Sequence, residues 1–383
     1  MRELDVFIND TLAGRLSEEN ERYVFGYDEH TSGVVSVTMP IRRESWVDKR
    51  VHPIFQMNLP EGALKEAIAN SFGKYRKMDQ IGFLEIIGPH VLGRVKFAKP
   101  DAVQTIETLD GILFGDSEEL FDSLLEKYSI RSGVSGVQPK VLLDAYDKNT
   151  MLTSHYIVKS WSAEYPELAA NEYFCMNACK RAGLRVPQYY LSENRKLFVM
   201  KRFDIRDNGG YFGFEDMCVL LGRDNDDSKY HASYEDIAKI IKSAVAPQNR
   251  VAALEEFFTA LVMNHLLRNG DAHLKNYAIL YDNDYTDASL SPLYDVVTTT
   301  VYNPKDIPAL AMSGGKVWWK RKTYTNFGKL TCGIKPSRMD EIIERCIEAV
   351  RATKLEVAEY AHAHSDFAPF ADRLLDAWVD ELK

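Results

Sequence analysis

Over residues 4–38 β-branched and aromatic positions alternate with polar ones, and the runs 4–8, 11–16, 22–27 and 34–38 predict short strands. The first two join across a turn at Asn9-Asp10, so the region reads as a small antiparallel meander. The period then lengthens. Leu64, Ile68 and Phe72 fall four apart after Pro60-Glu61-Gly62, which predicts a helix over 63–72. The apolar stretch 83–95, broken by Gly88 and Gly93, fits a short helix or strands divided by turns. Turn residues gather at Lys99-Pro100-Asp101 and Gly115-Asp116 while the apolar rhythm fades, placing a domain boundary near residue 105.

Beyond it the pattern predicts a helix over 117–128, strands over 137–145 and 155–160, and a helix over 166–183 that stops at Gly183. Strands over 188–191 and 196–203 pair across the turn 192–195, and 211–214 adds another. From Tyr234 onward the balance shifts to helices, over 234–244, 254–268, 338–353 and from Phe370. In the second of these Leu254, Phe257, Phe258, Leu261, Val262 and Leu266 recur at helical spacing, which buries it on a wide face. A β-rich stretch with one prominent helix is thus followed by a helical one.

The 383 residues allow two or three packing units at roughly 150 residues each, and 45% hydrophobic with 27% charged residues excludes disordered and low-complexity classes. A net charge of −9 argues against strong non-specific nucleic-acid binding by the whole chain. Five cysteines without regular short spacing suit a reducing compartment. Cys175 and Cys179 lie one helical turn apart, yet no second Cys/His pair stands nearby to complete a zinc site, and His362 and His364 read as solvated. Acidic residues near the start and the lack of a long apolar run predict a cytoplasmic protein with no membrane partner.

The chemistry gathers after the buried helix, at Asn269-Gly270-Asp271-Ala272-His273-Leu274-Lys275-Asn276. Asp271 and Asn276 have the Asp-x-x-x-x-Asn spacing of a kinase catalytic loop, where a carboxylate orients the acceptor hydroxyl and an amide oxygen holds Mg²⁺. Read alone, the pair also fits a polar loop that caps a helix. Asp295 follows an apolar strand and a short turn, where kinase-like folds carry their metal-binding aspartate, although Tyr294-Asp295-Val296 is not Asp-Phe-Gly. Two hard oxygen ligands suit Mg²⁺, which keeps its other sites for phosphate and water. Upstream, small residues in Ser132–Lys140 would let backbone N–H groups approach phosphate, but the stretch matches neither common glycine-rich phosphate motif. Lys159 ends an apolar strand, as the phosphate-pairing lysine of kinases does, and Glu172 on the next helix is its candidate counter-charge.

Together these residues resemble the HipA-like Ser/Thr kinases, the toxins of type II toxin–antitoxin pairs, over nearly the whole chain. The most specific element is Asn269-Gly270-Asp271-Ala272-His273-Leu274-Lys275-Asn276-Tyr277, which is similar to that family's catalytic loop. Ser135-Gly136-Val137-Gln138-Pro139-Lys140 looks like its phosphate loop, and Leu293-Tyr294-Asp295 like its metal-binding Tyr-Asp. Glu215-Asp216-Met217-Cys218 looks like its nucleotide hinge, and Lys201-Arg202-Phe203-Asp204 like the strand before it. Leu59-Pro60-Glu61-Gly62 resembles part of the family's N-terminal domain.

The resemblance implies an α+β, two-lobed kinase-like fold: a small β-rich N-terminal domain (1–105), an N-lobe with phosphate loop and hinge (106–217) and a helical C-lobe with the catalytic loop (218–383). It implies an ATP- and Mg²⁺-dependent protein Ser/Thr kinase with Asp271 as catalytic aspartate and Asn276 and Asp295 as metal ligands. Lys159 would hold the α- and β-phosphates. The loop of Ser135, Gly136, Val137, Gln138 and Lys140 would cover the triphosphate, and His273 and Lys275 would lie beside it. Backbone groups of Glu215 and Met217 would read adenine. Some members modify a serine of their own phosphate loop; one branch uses the position of Gly133, while Ser135 fits another branch and Ser132 is a second candidate.

The implied partners are a translation-related protein substrate such as an aminoacyl-tRNA synthetase, and a helix-turn-helix antitoxin of HipB type that alone would bring the chain to DNA. Gly213-Phe214 departs from the His-Gln common before the hinge. Two other readings compete: a catalytically weak kinase-fold module that mainly binds the antitoxin and co-represses transcription, and a small-molecule kinase.

Overall fold

β1 (Arg2–Ile8) and β2 (Thr11–Glu19) pair antiparallel around Asn9, whose φ of 52° is one that a short polar side chain tolerates. A computed structural model describes residues 2–31, 33–73, 77–98, 106–115, 119–129, 132–133, 138, 140–161, 163–207, 209–224, 227–282 and 285–382. The expected boundary near residue 105 lies outside them. β3 (Arg22–Tyr27) and β4 (Trp46–Asp48) extend the first sheet on one side. After α1 (Pro53–Gln56), α2 (Gly62–Phe72) and α3 (Gln80–Ile87), β5 (Val95–Lys96) closes it on the other, in the order β4-β3-β2-β1-β5. The stretch 83–95 therefore holds the end of a helix and the start of a strand.

The run 34–38 does not form the expected strand. Apart from a single bridge between Ser36 and Met39, its polar groups bond elsewhere: Val34 C=O accepts from Arg94 at 3.0 Å, and Val37 N–H donates to Glu215 at 2.8 Å. Long-range partners have taken the groups that a ladder would use.

A second sheet follows β6 (Glu107–Thr108), α4 (Leu109–Leu113) and α5 (Leu120–Tyr128). β7 (Lys140–Asp147) and β8 (Leu152–Ser160) form its central hairpin. The chain then makes α6 (Leu168–Arg181) and returns as β9 (Tyr189–Leu191) and β10 (Leu197–Lys201), giving the order β6-β7-β8-β10-β9. Ile112, Phe121, Leu124, Val141, Leu143, Val158 and Val199 form the apolar core that joins α4 and α5 to this sheet. β11 (Gly213–Asp216) leads directly into α7 (Met217–Leu220), whose N-terminus Asp216 caps by accepting from Val219 N–H at 3.0 Å.

The rest is mainly helical: α8 (Tyr234–Ala244), α9 (Arg250–Leu266), short strands β12 (Ala278–Tyr281) and β13 (Ser289–Leu290), α10 (Arg321–Phe327), α11 (Pro336–Ala363) and α12 (Ala368–Ala377). α11 packs against α6, α9 and α12, and runs ten residues past its expected end because Val357 is still buried. Cys175, Cys179 and Cys346 are buried; among the described residues no group of three Cys, His, Asp or Glu is placed to hold a metal.

Contacts divide the chain into two compact units. The first comprises Met1–Ser160, Tyr189–Asp226 and Ile279–Asp287 and is β-rich; the second comprises Trp161–Gln188, Asp227–Ala278 and Ala288–Lys383 and is helical. Among the described residues no helix is long and apolar enough to cross a membrane.

Candidate active site

Within the second unit, α9 ends at Leu266, and Arg268 just beyond it adopts φ 56° and turns the chain sharply away from the helix. Asn269 secures the turn from both ends. Its N–H donates to Asn264 C=O at 2.8 Å, its Nδ2 to Asn264 Oδ1 at 2.9 Å, and its Oδ1 accepts from Asp271 N–H at 3.1 Å. Gly270 donates its N–H to Thr299 Oγ1 at 2.8 Å, and a Cβ there would stand 2.1 Å from Asp306 Oδ2, so the close approach admits only glycine. Asn-Gly before Asp271 is thus a device for aiming that residue.

Asp271 accepts a hydrogen bond from the Tyr230 hydroxyl at 2.9 Å. The residue is exposed on one side and crowded by protein on the other. Loss of water on the crowded side pushes its carboxyl up to about 6; Tyr230 opposes the shift, Asp295 and Asp306 reinforce it, and Lys229 opposes it. Water on the open side screens part of this.

His273 N–H donates to Asn276 Oδ1 at 2.9 Å, and Asn276 Nδ2 donates to Asp295 Oδ2 at 3.1 Å. Tyr294 OH donates to Lys275 C=O at 2.7 Å, a second tie between the same two segments. Asp295 itself sits at φ 61°, a strained backbone for a non-glycine residue and of the kind found at working sites. Asn276 and Asp295 thus stand side by side, and Asp295 is near enough to Asp271 to raise its carboxyl. The His273 ring is buried; desolvation, with Lys229 next, lowers it to about 3, so it is neutral at physiological pH. One carboxylate and one amide oxygen with a lone pair to spare fit a hard divalent ion that takes its remaining ligands from phosphate and water.

Other expected residues lie in the first unit. Lys140 and Lys159 face each other across β7 and β8, and both are buried. Gln138 is anchored by donating from Nε2 to Ser160 C=O at 3.0 Å. Ser135, Gly136 and Val137 lie outside the described residues. Ser132, read as a second modification candidate, has a structural task instead: fully buried, its hydroxyl donates to Tyr128 C=O at 2.7 Å and accepts from Leu142 N–H at 2.8 Å. A Cβ on Gly133 would come within 2.5 Å of Val91 Cγ1, so no serine fits there.

Glu215 is wholly buried. Its carboxylate accepts from Ser36 Oγ at 2.6 Å, Val37 N–H at 2.8 Å and Tyr281 OH at 2.5 Å. Burial raises its carboxyl; the three hydrogen bonds pull the other way, as does Arg94. Met217 is buried at the start of α7. The departure at Gly213 has a cause, since a Cβ there would lie 2.4 Å from the Tyr281 ring. In the second unit Glu172 is buried on α6 rather than at the surface. Sequence reading missed Tyr230, Tyr281, Arg94 and Ser36. Ser36 was hidden in an apparent strand, and Tyr230 sits in a polar run with no period to mark it.

Comparison with known proteins points the same way. Residues 132–354 match the model of the HipA-like C-terminal domain, and residues 4–98 that of the HipA N-terminal domain. A Haemophilus influenzae protein named "Putative kinase" is 31% identical over 223 residues, covering 51% of this chain and 63% of that protein. The serine/threonine-protein kinase toxin HipA of Shewanella oneidensis is 24% identical over 338 residues, covering 78% of this chain and 76% of the toxin. A solved structure of the Shewanella oneidensis HipA, HipB and operator DNA complex superposes with a TM-score of 0.71 at 20% identity, over 98% of this chain and 96% of that one.

Proposed function

The chain belongs to the HipA-like kinase family, and from that premise we propose that it is an ATP- and Mg²⁺-dependent protein Ser/Thr kinase whose catalytic residue is Asp271. The observation that carries this reading is the Asn276–Asp295 pair, 3.1 Å apart, beside a carboxylate that the NGD turn holds open to solvent. In this role Asp271 accepts the hydrogen bond of the acceptor hydroxyl and aims its oxygen, while Asn276 and Asp295 hold the metal. When bound, Mg²⁺ supplies charge neutralisation at the phosphates.

Lys159 serves the α- and β-phosphates. Lys140 and Lys159 stand directly opposite each other on neighbouring strands, and two cationic side chains placed there suit a site that binds polyphosphate. Gln138, Lys140 and the Ser135–Val137 stretch form the covering loop, His273 and Lys275 flank the phosphates, and the backbone of Glu215 and Met217 reads adenine. A neutral His273 donates or accepts a hydrogen bond there without adding charge.

Ser135 is the residue of its own loop that the chain phosphorylates, since Ser132 is committed to structure and position 133 has no room for a side chain. A HipB-type helix-turn-helix antitoxin is the proposed partner and carries any contact with DNA, in keeping with the net charge of −9. The proposed substrate is a translation-related protein. Incubation with Mg·[γ-³²P]ATP and peptide mass analysis test the assignment: label on Ser135 or on an added protein, lost in Asp271→Asn with ATP binding retained, is the expected result, and label retained in Asp271→Asn refutes it.

A further inference from the structure

Tyr230 ends a single 3-10 turn, Asp227–Tyr230, and its phenol bonds to an aspartate 41 positions further along the chain. Two other contacts hold it there. The ring meets His273 edge-on with centroids 5.2 Å apart, and Lys316 Nζ donates to the Tyr230 carbonyl at 3.1 Å. The result is a hydroxyl that donates at 2.9 Å to Asp271 Oδ1. That is the relationship an acceptor serine or threonine must make with a kinase aspartate before phosphoryl transfer.

We propose that Tyr230 occupies the acceptor-hydroxyl position on Asp271, so that an incoming serine or threonine must displace its phenol, which makes Tyr230 a positioning residue that sets affinity for the acceptor. The proposal rests on the kinase reading of Asp271. A hydroxyl bonded to a carboxylate forms one of the stronger hydrogen bonds, though the open side of Asp271 exposes this one to water. The free protein therefore spends most of its time with the position filled, and apparent acceptor affinity falls by the fraction that is open. ATP binding is untouched, because the phenol acts only on the acceptor side. At saturating acceptor the phenol is displaced in every turnover, so kcat is also untouched.

Tyr230→Phe keeps the ring and its contact with His273 and removes only the hydroxyl. With the full chain, Mg·ATP and dephosphorylated casein as the probe acceptor, the variant should show a casein KM about three- to tenfold lower than wild type, with kcat and the KM for Mg·ATP unchanged. If the acceptor instead uses Asp271 Oδ2 while Tyr230 stays in place, the casein KM does not fall, and the proposal is overturned. A second measurement needs no catalysis. Nitration of Tyr230 by tetranitromethane, followed by peptide mass, should quicken severalfold in Asp271→Ala, since the phenol is then released from the carboxylate that holds it. An unchanged rate shows that the bond does not exist in solution and overturns the proposal on its own. A wild-type chain that labels neither casein nor itself, while its Tyr230 nitration still responds to Asp271→Ala, takes down the kinase reading and the acceptor assignment with it but leaves the contact standing.

Discussion

Asn276 turns its amide nitrogen toward Asp295, 3.1 Å away, while its amide oxygen accepts from the His273 backbone, so one side chain ties the loop after α9 to the segment that carries the strained aspartate. Asn276→Asp replaces a donor by a second carboxylate at that distance. In chelator the two charges repel, and the variant should be less stable than wild type by about 1–3 kcal/mol. Added Mg²⁺ should restore more stability to the variant than to wild type, because the ion then binds between two carboxylates. Thermal unfolding with EDTA and with MgCl₂ checks this; equal shifts in both proteins would show that no ion binds at the pair.

In the proposed kinase reading the Asp271 carboxyl, pushed up to about 6 mainly by loss of water, gives phosphoryl transfer an acid limit. The ionised form is the one that takes the acceptor's hydrogen bond, so kcat/KM for the acceptor, which reports the free protein, should rise through about pH 6 and level off above it. The stability effect has the opposite sense. A carboxyl whose folded value lies above its unfolded one favours the folded state at low pH and loses that advantage as pH rises from about 4 through about 6. Asp271→Asn should therefore abolish transfer while melting no lower than wild type at pH 7.5, as scanning calorimetry beside the pH–rate profile can establish.

Glu215 gathers three donors in the protein interior, so what happens to those donors decides the effect of replacing it. Glu215→Ala strands Ser36 Oγ, Val37 N–H and Tyr281 OH and should cost about 3–5 kcal/mol in urea unfolding. Glu215→Gln keeps the volume and one acceptor oxygen and should cost about 1–2 kcal/mol. If the two variants cost the same, the carboxylate is not what holds the 36–37 turn against β11.

How far the sequence could be read follows from the range of each interaction. The Asp-x-x-x-x-Asn loop was legible because local geometry aims it: Arg268 turns the chain and Asn269 clasps the end of α9, both within a few residues of Asp271. The hairpin at Asn9 and the buried face of α9 were legible for the same reason. The run 34–38 misled because its β-branched pattern says nothing of Arg94 and Glu215, which lie far along the chain and claim its backbone groups. Tyr230 was invisible for a related reason: its meaning lies entirely in a partner 41 residues away. Glu172 reads from sequence as a candidate counter-charge for Lys159, and only packing shows that α6 buries it.

Gly213 and Tyr281 are a matched pair. A Cβ on Gly213 would lie 2.4 Å from the Tyr281 ring, far inside van der Waals contact, and the ring cannot simply withdraw because its hydroxyl is bonded to Glu215. Gly213→Ala should therefore destabilise the protein by about 1–3 kcal/mol, the usual range for overpacking a buried site. Tyr281→Ala should cost at least as much alone, since it removes a buried ring and a hydrogen bond. In the double variant the two losses should fall short of their sum by at least about 1 kcal/mol, because the new methyl group then enters space the ring has vacated. A double-mutant cycle measured by urea unfolding gives this coupling directly. Strict additivity would mean that Gly213 answers to something other than the tyrosine it faces.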